Sequence, residues 1–74
     1  MDIRKLVGGN VTRLRKDLGM KQEPFSDAAG ITQSYLSQIE HGRVNLTLFG
    51  LNDLCQALGV RPMELFREGD GEEN

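Results

Sequence analysis

The chain has 74 residues, a formal net charge of −2 and a single cysteine, Cys55. A chain this short makes one domain that buries only about 60% of its unfolded surface, and it can form no internal disulfide. No apolar run approaches the roughly 20 residues that cross a bilayer, and no signal-peptide pattern opens the chain, so no membrane partner is expected and a reducing cytoplasm is the expected setting.

Ile3, Leu6, Val7, Val11, Leu14 and Leu18 recur at steps of three and four, the period of a first helix. Gly8 and Gly9 weaken it, each by about 1 kcal/mol relative to Ala, so the helix is expected to begin effectively near Asn10. Arg4, Lys5, Arg13 and Lys16 fall on its other sides, as solvated surface or as phosphate contacts. Arg15 lies four residues after Val11 and three before Leu18, beside the apolar stripe. Glu40 follows Leu36 by four, on the inward side of a later helix. Two opposite charges that both point inward should pair, because an unpaired buried charge is prohibitive. A structural Arg15–Glu40 ion pair is therefore expected, in preference to a catalytic role.

Gly19 ends this helix. Gln22 opens a second one, with Pro24 tolerated in its first turn and Phe25, Ala28 and Ala29 at helical spacing. Ser26 lies near a helix–helix contact, where its hydroxyl must find a local carbonyl. Gly30 follows, able to take the positive φ that turns one helix into the next. Thr32 stands where an N-cap belongs, ahead of Leu36 and Ile39. A short helix, a turn of about three residues and another short helix make a helix-turn-helix, the arrangement that sets a helix in the DNA major groove. On the outward face of the second helix, Gln33, Ser37 and His41 step by four, while Ser34 reaches Ser37 by three and Gln38 by four. The face is polar and carries no acid. Amides can bond an adenine edge bidentately and hydroxyls can serve any base; the alternative, a plain solvated face, is more often filled with Lys and Glu.

Gly42 closes this helix. His41, the only histidine, has no second ligand at metal spacing and reads as a helix-end side chain. Arg43, Val44 and Asn45 form the loop beyond, at the edge of the DNA-facing surface; Arg43 there is either a phosphate or minor-groove contact or a solvated loop residue. Thr47 can cap a fourth helix carrying Leu48, Leu51, Leu54, Cys55 and Leu58, stopped by Gly59. Cys55 follows Leu51 by four and reads as a buried structural thiol. A fifth helix begins at Pro62 and includes Met63, Leu65 and Phe66. Phe49, Met63, Leu65 and Phe66 exceed what so small a core needs, which points to a two-fold homodimer contact; the alternative is that all fold inward. Residues 69–74, GDGEEN, read as a short acidic disordered tail behind a domain of residues 1–68. The distribution of charge answers an objection to DNA. Residues 1–63 carry +2 and residues 64–74 carry −4, so the acidity lies mostly at the C-terminus.

The run from Met20 to Phe66 resembles the Xre/Cro group of lambda-repressor-like transcription regulators, and the likeness extends from about Ile3. Its most specific parts are Gln22, AGI at 29–31, SYLSQIE at 34–40, Gly42 and ALGV at 57–60; NLTL at 45–48 is similar to the controller proteins of restriction–modification systems. The resemblance implies an all-α, compact five-helix domain with the helix-turn-helix at helices 2 and 3. It also implies an Arg15–Glu40 link between the first and third helices, and a Gln22 amide that contacts backbone phosphate and steadies Gln33. Two residues depart from the pattern: Phe25, where leucine is usual, and Ser26, where alanine is usual.

The resulting expectation is a sequence-specific regulator that binds double-stranded DNA as a homodimer on a near-palindromic operator. Gln33, Ser34, Ser37 and Gln38 are the base-contact candidates; Gln22, Thr32, Tyr35, Arg43 and Asn45 are the phosphate candidates, with Ser37 and Tyr35 able to serve either. The alternative is a protein-binding module, such as an antitoxin, whose partner sits on the apolar C-terminal region. An enzyme is not expected, since no nucleophile–base spacing, phosphate-cradling glycine motif, metal cluster or cofactor site is present.

Overall fold

Asp2 starts the first helix. Its backbone is extended and its carboxylate accepts the amide of Arg4 at 3.0 Å, so α1 runs Ile3–Asp17. This corrects the expected start near Asn10. Gly8 is retained in the helix because it faces α3 at close range: a Cβ there would land on the carbonyl oxygens of Ile39 and Glu40. The propensity cost of the glycine is offset by the contact it permits, in which Val7 and Val11 are buried. Gly9, by contrast, is exposed, with nothing near the place a Cβ would occupy.

Three further helices follow: α2 (Gln22–Ala29), α3 (Gln33–Glu40) and α4 (Leu48–Leu58). Gly30, at φ 74°, ends α2 in the left-handed region that the short turn requires. The Ser26 hydroxyl donates to the Glu23 carbonyl at 2.8 Å, which satisfies the one buried polar side chain of α2. Thr32 and Thr47 cap α3 and α4, their hydroxyls accepting from Tyr35 N at 3.0 Å and Gly50 N at 2.9 Å.

The expected fifth α-helix is a single 3₁₀ segment, Pro62–Phe66. Its tighter winding, three residues per turn, aims Leu65 inward between α1 and α4. Leu65 is fully buried and belongs to the core with Phe25, Leu36 and Leu54, so it is withdrawn from the dimer surface, where the sequence reading set it. Buried Asn10 holds the segment in place: its Nδ2 donates to the carbonyls of Leu65 and Arg67, both at 2.8 Å. Cys55 also lies in the core, where burial pushes its thiol pKa up and leaves it un-ionised.

The computed structural model describes residues 1–69. The expected acidic tail therefore lies, beyond Gly69, outside the described residues. Among the described residues there is no strand, and no helix is long and apolar enough to cross a membrane.

Candidate nucleic-acid interface

The turn between α2 and α3 is tied by two backbone bonds, Gly30 N to the Asp27 carbonyl at 3.2 Å and Ile31 N to the Ser26 carbonyl at 3.0 Å. With the turn fixed, α3 can bury Leu36 and Ile39 against the core and keep the other face outside. Gln33, Ser34 and Gln38 are exposed and Ser37 is half-buried. These four line one shallow depression together with Gln22 of α2 and Arg43 of the following loop. No acidic side chain lines it. His41, at the end of α3, directs Nδ1 to the Ser37 carbonyl at 2.7 Å.

Three phosphate candidates fall elsewhere. The Thr32 hydroxyl is engaged as the cap of α3. Tyr35 is exposed on α3 but does not line the depression. Asn45 lines a separate apolar groove beside Ile3, Leu48 and Phe66. Phe66, 42% exposed, also lines that groove, while Phe49 on α4 and Met63 on the 3₁₀ segment are 85% and 70% exposed without lining it.

Behind the polar face, Glu40 receives three bonds from two elements. Arg15 Nε and Nη2 reach its two carboxylate oxygens at 2.7 and 3.0 Å, and Gln22 Nε2 reaches Oε1 at 3.0 Å. The remaining Arg15 nitrogen, Nη1, donates to the Met20 carbonyl at 2.8 Å. The Arg15 and Glu40 side chains are only 8% and 5% exposed, so this bidentate pair joins α1, the turn after it, α2 and α3 in one place. Gln22 thus bonds inward to Glu40 and makes no hydrogen bond to Gln33, the partner that the family likeness implied. The sequence holds no signal for this contact: residues 22 and 40 are 18 apart and on different helices. Lys21 gives α2 no side-chain cap, unlike the residues that start α1, α3 and α4, and with Pro24 lacking an N–H the first turn has only the amides of Gln22 and Glu23 to offer.

Burial alone would raise the Glu40 pKa. The hydrogen bonds from Arg15 and Gln22 outweigh it, and the carboxyl is held below its ordinary value of 4.5. A carboxylate with a depressed folded-state pKa stabilises the fold above its unfolded pKa and loses that contribution as the pH falls through the folded one. Unfolding midpoints in urea should therefore fall as the pH drops below 4.5. The fall should be shallower in Glu40→Gln, and equal slopes in the two proteins would remove Glu40 from the explanation. Among the described residues, no three His, Cys, Asp or Glu side chains gather as a metal site would require.

Comparison with known proteins bears on the family and the fold. A family model described as helix-turn-helix matches residues 11–65. The chain is 49% identical over 70 residues to the HTH-type transcriptional regulator y4dJ of Sinorhizobium fredii, spanning 95% of this chain and 91% of that one. It is 32% identical over 68 residues to the control protein C.MunI of a Mycoplasma species, spanning 90% and 92%. Among solved structures, the restriction–modification controller protein C.AhdI of Aeromonas hydrophila superposes with a TM-score of 0.80 at 32% identity, covering 85% of this chain and 91% of that one.

Proposed function

This chain belongs to the helix-turn-helix family of DNA-binding transcriptional regulators, and from that premise we propose that it acts as a homodimer on a near-palindromic operator. Each subunit lays α3 in the major groove, with Gln33, Ser34, Ser37 and Gln38 on base edges and Gln22 and Arg43 on the phosphates at either side. One observation carries the reading: these six side chains, drawn from α2, α3 and the loop after it, line a single depression free of acid. Thr32, Tyr35 and Asn45 are peripheral phosphate contacts. The fold is read as a lambda-repressor-like domain over residues 1–68 whose last helix is reduced to one 3₁₀ segment, and the setting is cytoplasmic. The likeness to C.MunI and C.AhdI supports the narrower reading of a controller protein. The protein-binding alternative is not favoured by these relatives.

The homodimer rests on the apolar surface left by α4 and the 3₁₀ segment. Phe49, Met63 and Phe66 remain its candidates after Leu65 is withdrawn. Two α3 helices must then lie about 34 Å apart to read half-sites one turn apart. Selection of bound duplexes from random DNA, at fixed salt and with the mass of the complex measured, tests both parts. The expected result is a palindromic consensus carrying two chains; a non-palindromic site carrying one chain would overturn the dimer.

Two substitutions refine the test. Gln33→Ala or Gln38→Ala should cost about 1–3 kcal/mol of binding and relax preference at one base pair of each half-site. Full discrimination by either variant would strike that residue from the base contacts. Phe49→Ser should shift the monomer–dimer equilibrium toward monomer by tenfold or more in sedimentation, since truncating a central aromatic anchor commonly costs about 2 kcal/mol. An unchanged equilibrium would move the interface elsewhere. Because the chain is weakly basic in its N-terminal 63 residues, few phosphates are engaged and binding should lose affinity only modestly with salt.

A further inference from the structure

We propose that Glu40 is a positioning residue for DNA binding: through Gln22 it fixes which end of an interface amide faces the groove. The proposal rests on the operator-binding reading above and adds a role for a side chain that never reaches the DNA. An amide has nearly the same shape either way round, so its orientation is decided by its partners. Ionised Glu40 is acceptor-only. Its Oε1 lies 3.0 Å from the Gln22 amide nitrogen, and turning that amide over would set two oxygens against each other. Glu40 is itself immobilised by the two-pronged Arg15 contact, with a side chain only 5% exposed, so it cannot swing away to accommodate the flip.

The consequence appears on the outer side of Gln22. One N–H of Nε2 is committed to Glu40, so Gln22, which lines the depression with Gln33, Ser37 and Arg43, keeps a second N–H and a free Oε1 at the other end of its amide. A phosphate accepts hydrogen bonds only, and the surviving N–H is the group that meets it. The carbonyl oxygen is left to accept, and the Gln33 amide and Ser37 hydroxyl that line the same depression are the donors it would meet once DNA orders the surface. A polarity that begins with a buried guanidinium is thus handed outward to the edge of the reading surface.

A double-mutant cycle separates this role from simple support of the fold. Glu40→Gln keeps the shape but can donate as well as accept, and so releases the orientation; Gln22→Met keeps length but has no amide to orient. Affinity for a duplex recovered by selection from random DNA is measured for the wild type, both single variants and the double variant, alongside urea unfolding so that only folded protein is counted. Glu40→Gln is expected to lose about tenfold in affinity, the effect of one hydrogen bond made or lost, in the Gln22 background. In the Gln22→Met background it is expected to lose almost nothing, while its stability loss persists in both. Equal affinity losses in the two backgrounds would show that Glu40 acts through the fold alone and would overturn the proposal. If the wild type selects no duplex, the operator reading falls and this inference with it. Should Glu40→Gln fold poorly, the side-chain amide signals of Gln22 in the wild type serve instead. Slow solvent exchange of one Gln22 amide proton, in free and duplex-bound protein, is expected; exchange as fast as that of Gln33 in both states would overturn the orientation.

Discussion

Arg15→Met should destabilise the fold by about 3–5 kcal/mol, the usual result of removing one partner from a buried ion pair. A chain of 74 residues has a total stability of only about 4–11 kcal/mol, so this one change removes a large part of it. The magnitude follows from what Arg15 holds. Its guanidinium meets both oxygens of Glu40 and the Met20 carbonyl, so methionine strands a buried carboxylate and a backbone acceptor together. Glu40 could lessen the loss by taking up a proton, which would cost stability at neutral pH and less in acid. The midpoint of urea unfolding, read at pH 7 and again below 4.5, checks the prediction. A variant within about 1 kcal/mol of the wild type at pH 7 would mean that the pair contributes no more than an exposed one.

Two neighbouring glycines should respond to alanine with opposite signs. At Gly8 the added methyl meets the backbone carbonyls of Ile39 and Glu40, which cannot turn aside as a side chain could, so α3 must shift bodily. Overpacking of this kind costs about 1–3 kcal/mol and occasionally more, and the backbone clash sets Gly8→Ala near the upper end, about 2–3 kcal/mol net of the better helix propensity. Operator affinity should fall as well, since the displaced element is the reading helix. Gly9→Ala meets open solvent in the middle of α1 and should stabilise by about 0.5–1 kcal/mol. Unfolding midpoints of the pair decide it. A stabilised Gly8→Ala would mean that α1 and α3 do not approach as closely as the geometry has them.

The contrast also marks where sequence reasoning stops. Helical spacing makes α2, α3 and their inward residues legible, because Phe25, Leu36 and Ile39 repeat at the period that burial demands. Caps at Thr32 and Thr47 are legible for the same local reason. Gly8 misleads, since propensity charges the glycine to the helix while its benefit lies on another element 31 residues away at Ile39. Leu65 misleads through a change of winding: an α-helical reading cannot say which of three close apolar residues a 3₁₀ turn sends inward. Asn10 gave no signal, because the carbonyls it holds belong to Leu65 and Arg67. The outward face of α3 could be read from spacing alone. The inward bond of Gln22 could not, as it depends on how two helices meet.

The central claim is that the acid-free depression on α3 distinguishes one DNA sequence from another. Its most direct test is the ratio of affinities for the selected duplex and for a scrambled duplex of the same composition, at one salt concentration near physiological. The expected ratio is about a thousand or more, the lower range for specific recognition. A ratio near one would contradict the claim.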